Sequence, residues 1–218
     1  MGTIVSNTII DKAQTVLQDA SGVRWSDAEL LSWLNDGQRN IALYKPNAYV
    51  RNVPFLCAPG TRQSLPADCV QLFSVPRNLG ATGVNPGRAI RPVEHDTLDA
   101  RVPNWHAITP TVDVQHFTYS VLNPKTFFVY PPNTGTGHVE LSYGAEPPDT
   151  TLNAAISVDN IYSTALIDYV LYRAFSKDTE FADSARATGH FQSFVGAITG
   201  RAQAEAAANP NPQASAAP

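Results

Sequence analysis

The residues best equipped for chemistry are five histidines, His95, His106, His116, His138 and His190, and two cysteines, Cys57 and Cys69. None of the histidines forms a His-x-x-x-His pair, and none clusters with a cysteine at the spacing a zinc site needs. His95 with Asp96 and Asp99 is the best metal candidate, but on a turn such residues serve more often as solvent-facing polar groups and local caps. The two cysteines lie in a stretch that reads as two strands joined by a loop, where they can face each other; one pair alone does not make a disulfide scaffold, and reduced thiols used as small apolar residues are the simpler reading. No Gly-x-Ser-x-Gly turn marks a nucleophile. Asp149 and Asp159 are the nearest thing to an acid and base pair, yet nothing in their spacing puts them on one face of one element, so they read as loop and cap residues. Gly80, Gly83 and Gly87 fall in a loop between strands and open no helix, which leaves them as turn glycines and not a phosphate cradle. The chemistry expected is none: no catalytic residue, no metal and no cofactor.

The elements that hold these residues are clearer than the residues' chemistry. Apolar positions at Ile9, Ala13, Val16, Leu17 and Ala20 follow helical spacing, with Gly22 as a stop. Ser26-Asp27-Ala28-Glu29 is a capping box, in which Ser26 and Glu29 each satisfy a backbone N–H of the first turn, and Trp25 before it can staple onto Leu30. The stripe continues through Leu34, Gly37 and Ile41 until Pro46 stops it. From Val53 to Tyr143 short alternating runs replace it: Val112 to Val114, Phe117 to Tyr119, and His138 to Tyr143. Phe127 to Tyr130 reads as a buried strand after an Asn123-Pro124-Lys125 turn, and Pro131-Pro132 is expected to terminate it. Helical spacing returns at Ile161, Ala165, Leu166, Tyr169, Val170 and Ala174, with Ser157 or Asp159 as cap. It returns again at Phe181, Ala185, Phe194, Val195 and Ile198, with Gly200 placed to close that helix. The remainder, AQAEAAANPNPQASAAP, has almost nothing to bury and no source of order of its own.

The order helix pair, strands, helix pair implies an α+β chain. Neither pair covers its own apolar stripe, so the expected architecture is a four-helix bundle formed by the N-terminal pair (1–50) and the C-terminal pair (151–200). An antiparallel β domain (51–150) is inserted between them, and an extended C-terminal tail (201–218) follows.

Composition narrows the function. Charged residues make up 16% of the 218 residues and the formal net charge is -4, against roughly 25% charged in average soluble domains. A large basic face for phosphates is disfavoured, although a mildly acidic wall suits a conduit past which DNA slides. The two N-terminal helices resemble a helix-turn-helix in outline, but the second opens with Ser26, Asp27 and Glu29, which repel phosphate where a reading helix presents Arg, Lys, Asn or Gln. Trp33, Tyr44, Tyr49, Trp105 and Tyr162 are either interface anchors or core aromatics. No secretory leader and no apolar run of membrane length is visible, so the expectation is a protein that is soluble and cytoplasmic when made.

Four blocks, DASGVRWSDAELLSWLNDGQ (19–38), RNLGATGVNPGRAIRPVEHDTLDARVPNWH (77–106), TFFVYPP (126–132) and DNIYSTALIDYVLYRAFSK (159–177), resemble the head-tail adaptor (connector) proteins of tailed bacteriophages. That resemblance implies a structural, non-enzymatic subunit of the virion. It implies a homo-oligomeric ring, usually dodecameric, beneath the phage portal protein, with a downstream tail or nozzle protein below and genomic DNA passing through without sequence-specific contact or any membrane. In such adaptors the C-terminal segment reaches into the portal, which makes Arg201, Asn209, Pro210, Asn211, Pro212 and Pro218 the portal-binding candidates, beside Trp25, Ser26, Glu29 and Leu30 as structural residues where the second helix starts. The rival readings are another virion part, such as a tail completion or tail-tube protein, and, from other classes, a virion-associated hydrolase or a DNA-binding regulator.

Overall fold

The computed structural model describes residues 2–177 and 182–208. It is α+β and divides into two compact units, Val50–Glu146 and the pair of segments Met1–Tyr49 and Pro147–Pro218.

The helical unit holds α1 (Ser6–Leu17), α2 (Asp27–Tyr44), α4 (Ser163–Ser176) and α5 (Ser184–Ala207). One apolar core joins all four: Ile9, Ala13 and Leu17 from α1, Leu30, Leu34 and Ile41 from α2, Leu166 and Val170 from α4, Phe194 and Ile198 from α5. α4 packs against each of the other three. α2 and α4 come close at Gly37, where an added Cβ would lie 3.0 Å from the Tyr169 ring and 3.1 Å from Leu166; glycine on α2 lets α4 come that near.

Buried polar side chains fix the returning chain. Asn35 is bonded in both directions to the Thr150 backbone, donating to its carbonyl at 3.0 Å and accepting from its N–H at 2.9 Å. Gln38, 1% exposed, accepts from Ser157 N–H at 2.7 Å and donates to Asn35 and to Thr150 Oγ1. These two amides supply the partners that an irregular buried segment cannot find in a helix or sheet.

The expected end of the last helix is corrected. α5 passes through Gly200 to Ala207, so residues 201–207 are helical and not extended. Alanine has the highest helix propensity and Arg201 reaches Glu205 one turn on at 2.7 Å, which together outweigh the cost of one glycine, about 1 kcal/mol. Phe181, expected to start this helix, lies outside the described residues; Asp183 caps it by accepting from Ala185 and Arg186 N–H.

The β unit contains two four-stranded sheets. In the first, β8 (His138–Ala145) pairs antiparallel with β1 (Val50–Leu56), β3 (Cys69–Ser74) and β4 (Asn78–Gly80). In the second the order is β2 (Gly60–Ser64), β7 (Thr126–Asn133), β6 (His116–Tyr119) and β5 (Arg91–Pro92), with β5 and β6 parallel. A short helix, α3 (His95–Arg101), follows β5. Phe127, Val129, Val139, Leu141 and Trp105 are fully buried within this unit.

Two expectations here are also corrected. Val112 to Val114 is not a strand: Asn78 accepts from Val114 N–H and donates to its carbonyl, both at 2.7 Å, and Asn133 donates to Val112 O at 2.9 Å. Side-chain amides take the place of a ladder there. Pro131 and Pro132 do not terminate β7, which runs on to Asn133; proline lacks only the donor, and Pro132 O still accepts from Thr111 N–H at 2.8 Å.

Candidate functional site

The start of α2 is built from its own sequence, from the turn just ahead of it and from one distant residue. Ser26 Oγ accepts from Glu29 N–H at 3.3 Å. The reciprocal half of the box is absent: the Glu29 carboxylate instead accepts from Lys177 Nζ at 2.6 Å, a full positive charge that outcompetes a backbone donor. Trp25 and Leu30 lie in the same core, 3% and 0% exposed. Asp19, not anticipated from the sequence, organises the turn ahead of them by accepting from the N–H groups of Val23, Arg24 and Trp25 at 3.0, 2.8 and 3.0 Å. Those bonds, Trp25's foremost, hold its carboxyl below the usual aspartate range.

At the other end of the helical unit, Lys45 just past α2 is only 4% exposed and meets Glu205 on the last turn of α5. Arg201 pairs with the same carboxylate. The Lys45 contact, ahead of that with Arg201, holds the Glu205 carboxyl below its ordinary value. Asn209, Pro210, Asn211, Pro212 and Pro218 lie outside the described residues.

The chemically suggestive residues are drawn into structure. Asp99 Oδ1 accepts from the indole N–H of Trp105 at 2.8 Å, while its other oxygen lies 3.8 Å from His95 Nε2. His106 stacks on Trp105 with ring centroids 3.7 Å apart and bonds Thr61 Oγ1 at 2.8 Å. Among the described residues no three His, Cys, Asp or Glu side chains come together as a metal site. Cys57 and Cys69 are buried free thiols; burial pushes the Cys57 thiol up to about 12, so it stays a thiol at neutral pH. Asp149 pairs with Arg39, and Asp159 accepts from Ile161 N–H at the start of a 3-10 turn. Gly80 and Gly83 have φ of 65° and 75°, turn conformations. Of the aromatics, Trp33, Trp105 and Tyr162 are buried, whereas Tyr44 is exposed.

The exposed apolar side chains remain. On the β unit the β6–β7 hairpin tip presents Val121 at 74% and Leu122 at 93% exposure. Two hydrogen bonds brace the turn: Lys125 donates to Cys69 O at 2.5 Å, and Asn123 N–H donates to Ser120 O at 3.0 Å. On the helical unit Leu43, Tyr44 and Ile161 are exposed. Exposed apolar side chains of this size are what a protein contact surface uses. Among the described residues no helix is long and apolar enough to cross a membrane.

A search of curated proteins found no match to the chain. The family model for the SU10 adaptor protein matches residues 7–216, nearly the whole length and both units. The chain therefore belongs to the SU10 adaptor protein family, a family of phage head-tail adaptors.

Proposed function

We propose that this chain assembles into a dodecameric ring beneath the portal, joining capsid to tail around the channel through which DNA leaves. The observation that carries this reading is the adaptor family match over residues 7–216. The helical unit makes the contacts between copies, using exposed side chains such as Leu43, Tyr44 and Ile161. The segment after α5, from Asn209 to Pro218, with Arg201 near its root, binds the portal. The β unit, with Val121 and Leu122 at its tip, meets the downstream tail or nozzle protein. A formal net charge of -4 suits a wall that does not hold passing DNA. No catalytic step is part of this role.

The test is electron microscopy of the purified chain mixed with its phage's portal ring. A second ring should appear against one face of the portal, and should fail to appear when residues 209–218 are removed. Full docking by the truncated chain, or a chain that stays monomeric with the portal present, would sink the proposal.

A further inference from the structure

The β unit carries an open groove of about 980 Å³ beside β6. It exists because β5 is only two residues long. Arg91 and Pro92 pair with His116 and Phe117, Val93 N–H adds one bond to Phe117 O at 2.9 Å, and the chain then leaves as α3. Thr118 and Tyr119 pair with β7 on one side, and among the described residues no strand lies on the other. Since Phe117 O faces β5, the backbone groups of Tyr119, two residues on, point toward the same vacant side. The free edge is short, one residue's N–H and C=O, so a segment laid along it gains at most two backbone bonds there and takes the rest of its hold from side chains.

Three features define what the added strand must carry. Phe117 and Phe128 line the groove, with Phe73 and Val121 at its sides, so alternate side chains of the incoming segment are apolar. Thr126, also lining it, is 7% exposed, and its Oγ1 has no hydrogen-bond partner; a buried hydroxyl without a partner costs about 1–3 kcal/mol until one arrives. Glu94 and Asp96 stand exposed at the rim, and neither is in an ion pair among the described residues. An acidic rim repels nucleic acid and attracts Lys or Arg.

We infer that the groove between β6 and α3 binds an extended segment of a different protein, with apolar residues alternating with basic ones, as an added strand. The exclusion of a second copy rests on the ring proposed above. The Val121–Leu122 knob and the groove stand side by side on one surface, with Val121 lining both. Two copies satisfy such a pair reciprocally, about a two-fold axis, and a ring of head-to-tail copies uses two different patches instead.

Two labelled peptides test this by fluorescence anisotropy with the full chain: eight residues of alternating Val and Lys, and the same with Glu in place of Lys. The Val/Lys peptide should bind saturably and about tenfold more tightly. Glu94→Lys with Asp96→Lys should reverse that order, and Thr126→Val should weaken binding several-fold without altering the order, which a general charge attraction would not do. Equal affinities, or an order unchanged by the charge reversal, overturn the inference. So does self-association in sedimentation that Glu94→Lys/Asp96→Lys abolishes, because the groove then belongs to a contact between copies. Electron microscopy reports ring formation separately. Rings without saturable peptide binding sink the groove and spare the ring; binding without rings does the reverse.

Discussion

Lys45 Nζ lies 2.6 Å from Glu205 Oε2 and donates to Tyr162 Oη at 2.8 Å, so one nearly buried ammonium ties the end of α2 to the last turn of α5. The side chains are 5% and 33% exposed. An ammonium left without its carboxylate at that depth is worse than no ammonium at all. Glu205→Ala should therefore destabilise the chain by about 1–3 kcal/mol, less than the roughly 3–5 kcal/mol for breaking a fully buried pair because Glu205 is partly solvated. Lys45→Met should cost less, and adding it to Glu205→Ala should recover part of the loss. Urea denaturation of the two single variants and the double variant checks the order; strict additivity would mean the two residues do not interact.

The same contact separates two truncations that look alike in sequence. A chain ending at Ala208 keeps Glu205 and should melt with the full-length chain, whereas one ending at Gly200 strands Lys45 and should melt several degrees lower. Both should fail to dock on the portal. Thermal melts alongside a docking assay distinguish a docking segment from a folding one. Equal melting temperatures would show that residues 201–207 add nothing to the fold.

Acid stability should depend on Asp19. Its carboxyl is held low by three backbone N–H groups, so the folded chain favours the ionised form. That stabilisation is complete above the unfolded aspartate pKa, about 3.9, and is lost as pH falls through the lower folded value. Asp19→Asn should reduce stability at pH 7 and flatten the acid limb of the stability curve. Urea midpoints for both chains at pH 7 and pH 3 give the comparison, and parallel curves would remove Asp19 from the account.

Local signals were legible and distant ones were not. The Ser26 cap and the Phe127–Val129 run are read from neighbours in sequence, and the structure carries an N-cap hydrogen bond and a buried strand there. The partner of Glu29 is not legible from its neighbours, because Lys177 lies 148 residues away. Val112 to Val114 looked like a strand because alternation says nothing about Asn78 and Asn133, whose amides hold that stretch as a loop. Gly200 reads as a stop from propensity alone, a weak prior that the Arg201–Glu205 and Lys45–Glu205 pairs beyond it override. The groove was invisible for the same reason: it arises from where β5 ends relative to β6, a matter of pairing and not of composition.

Gly137 shows a close approach that sequence could not announce. A Cβ there would clash with Val112 O and lie 2.6 Å from Asn133 Nδ2, within the loop that Asn133 organises. Backbone cannot yield as a flexible side chain does, so Gly137→Ala should destabilise the chain by about 1–3 kcal/mol. Gly196→Ala on α5, where an added Cβ meets nothing within 4 Å, should be stabilising by roughly 0.5–1 kcal/mol. Opposite signs in the two chemical melts are the expected result; equal effects would mean that the Val112 contact is absent in solution.

The β6–β7 tip separates stability from assembly most sharply. Val121 and Leu122 are 74% and 93% exposed, so Val121→Ser with Leu122→Ser removes almost no buried area and should leave stability within about 0.5 kcal/mol. If the β unit meets the tail through this tip, the loss of two apolar anchors falls entirely on the contact with the partner. Particles assembled with this variant should carry the adaptor ring but lack tails in electron micrographs, while the purified chain melts as before. Tailed particles at the normal frequency would move the tail contact elsewhere on the molecule, and particles without the ring would assign the tip to contacts between copies.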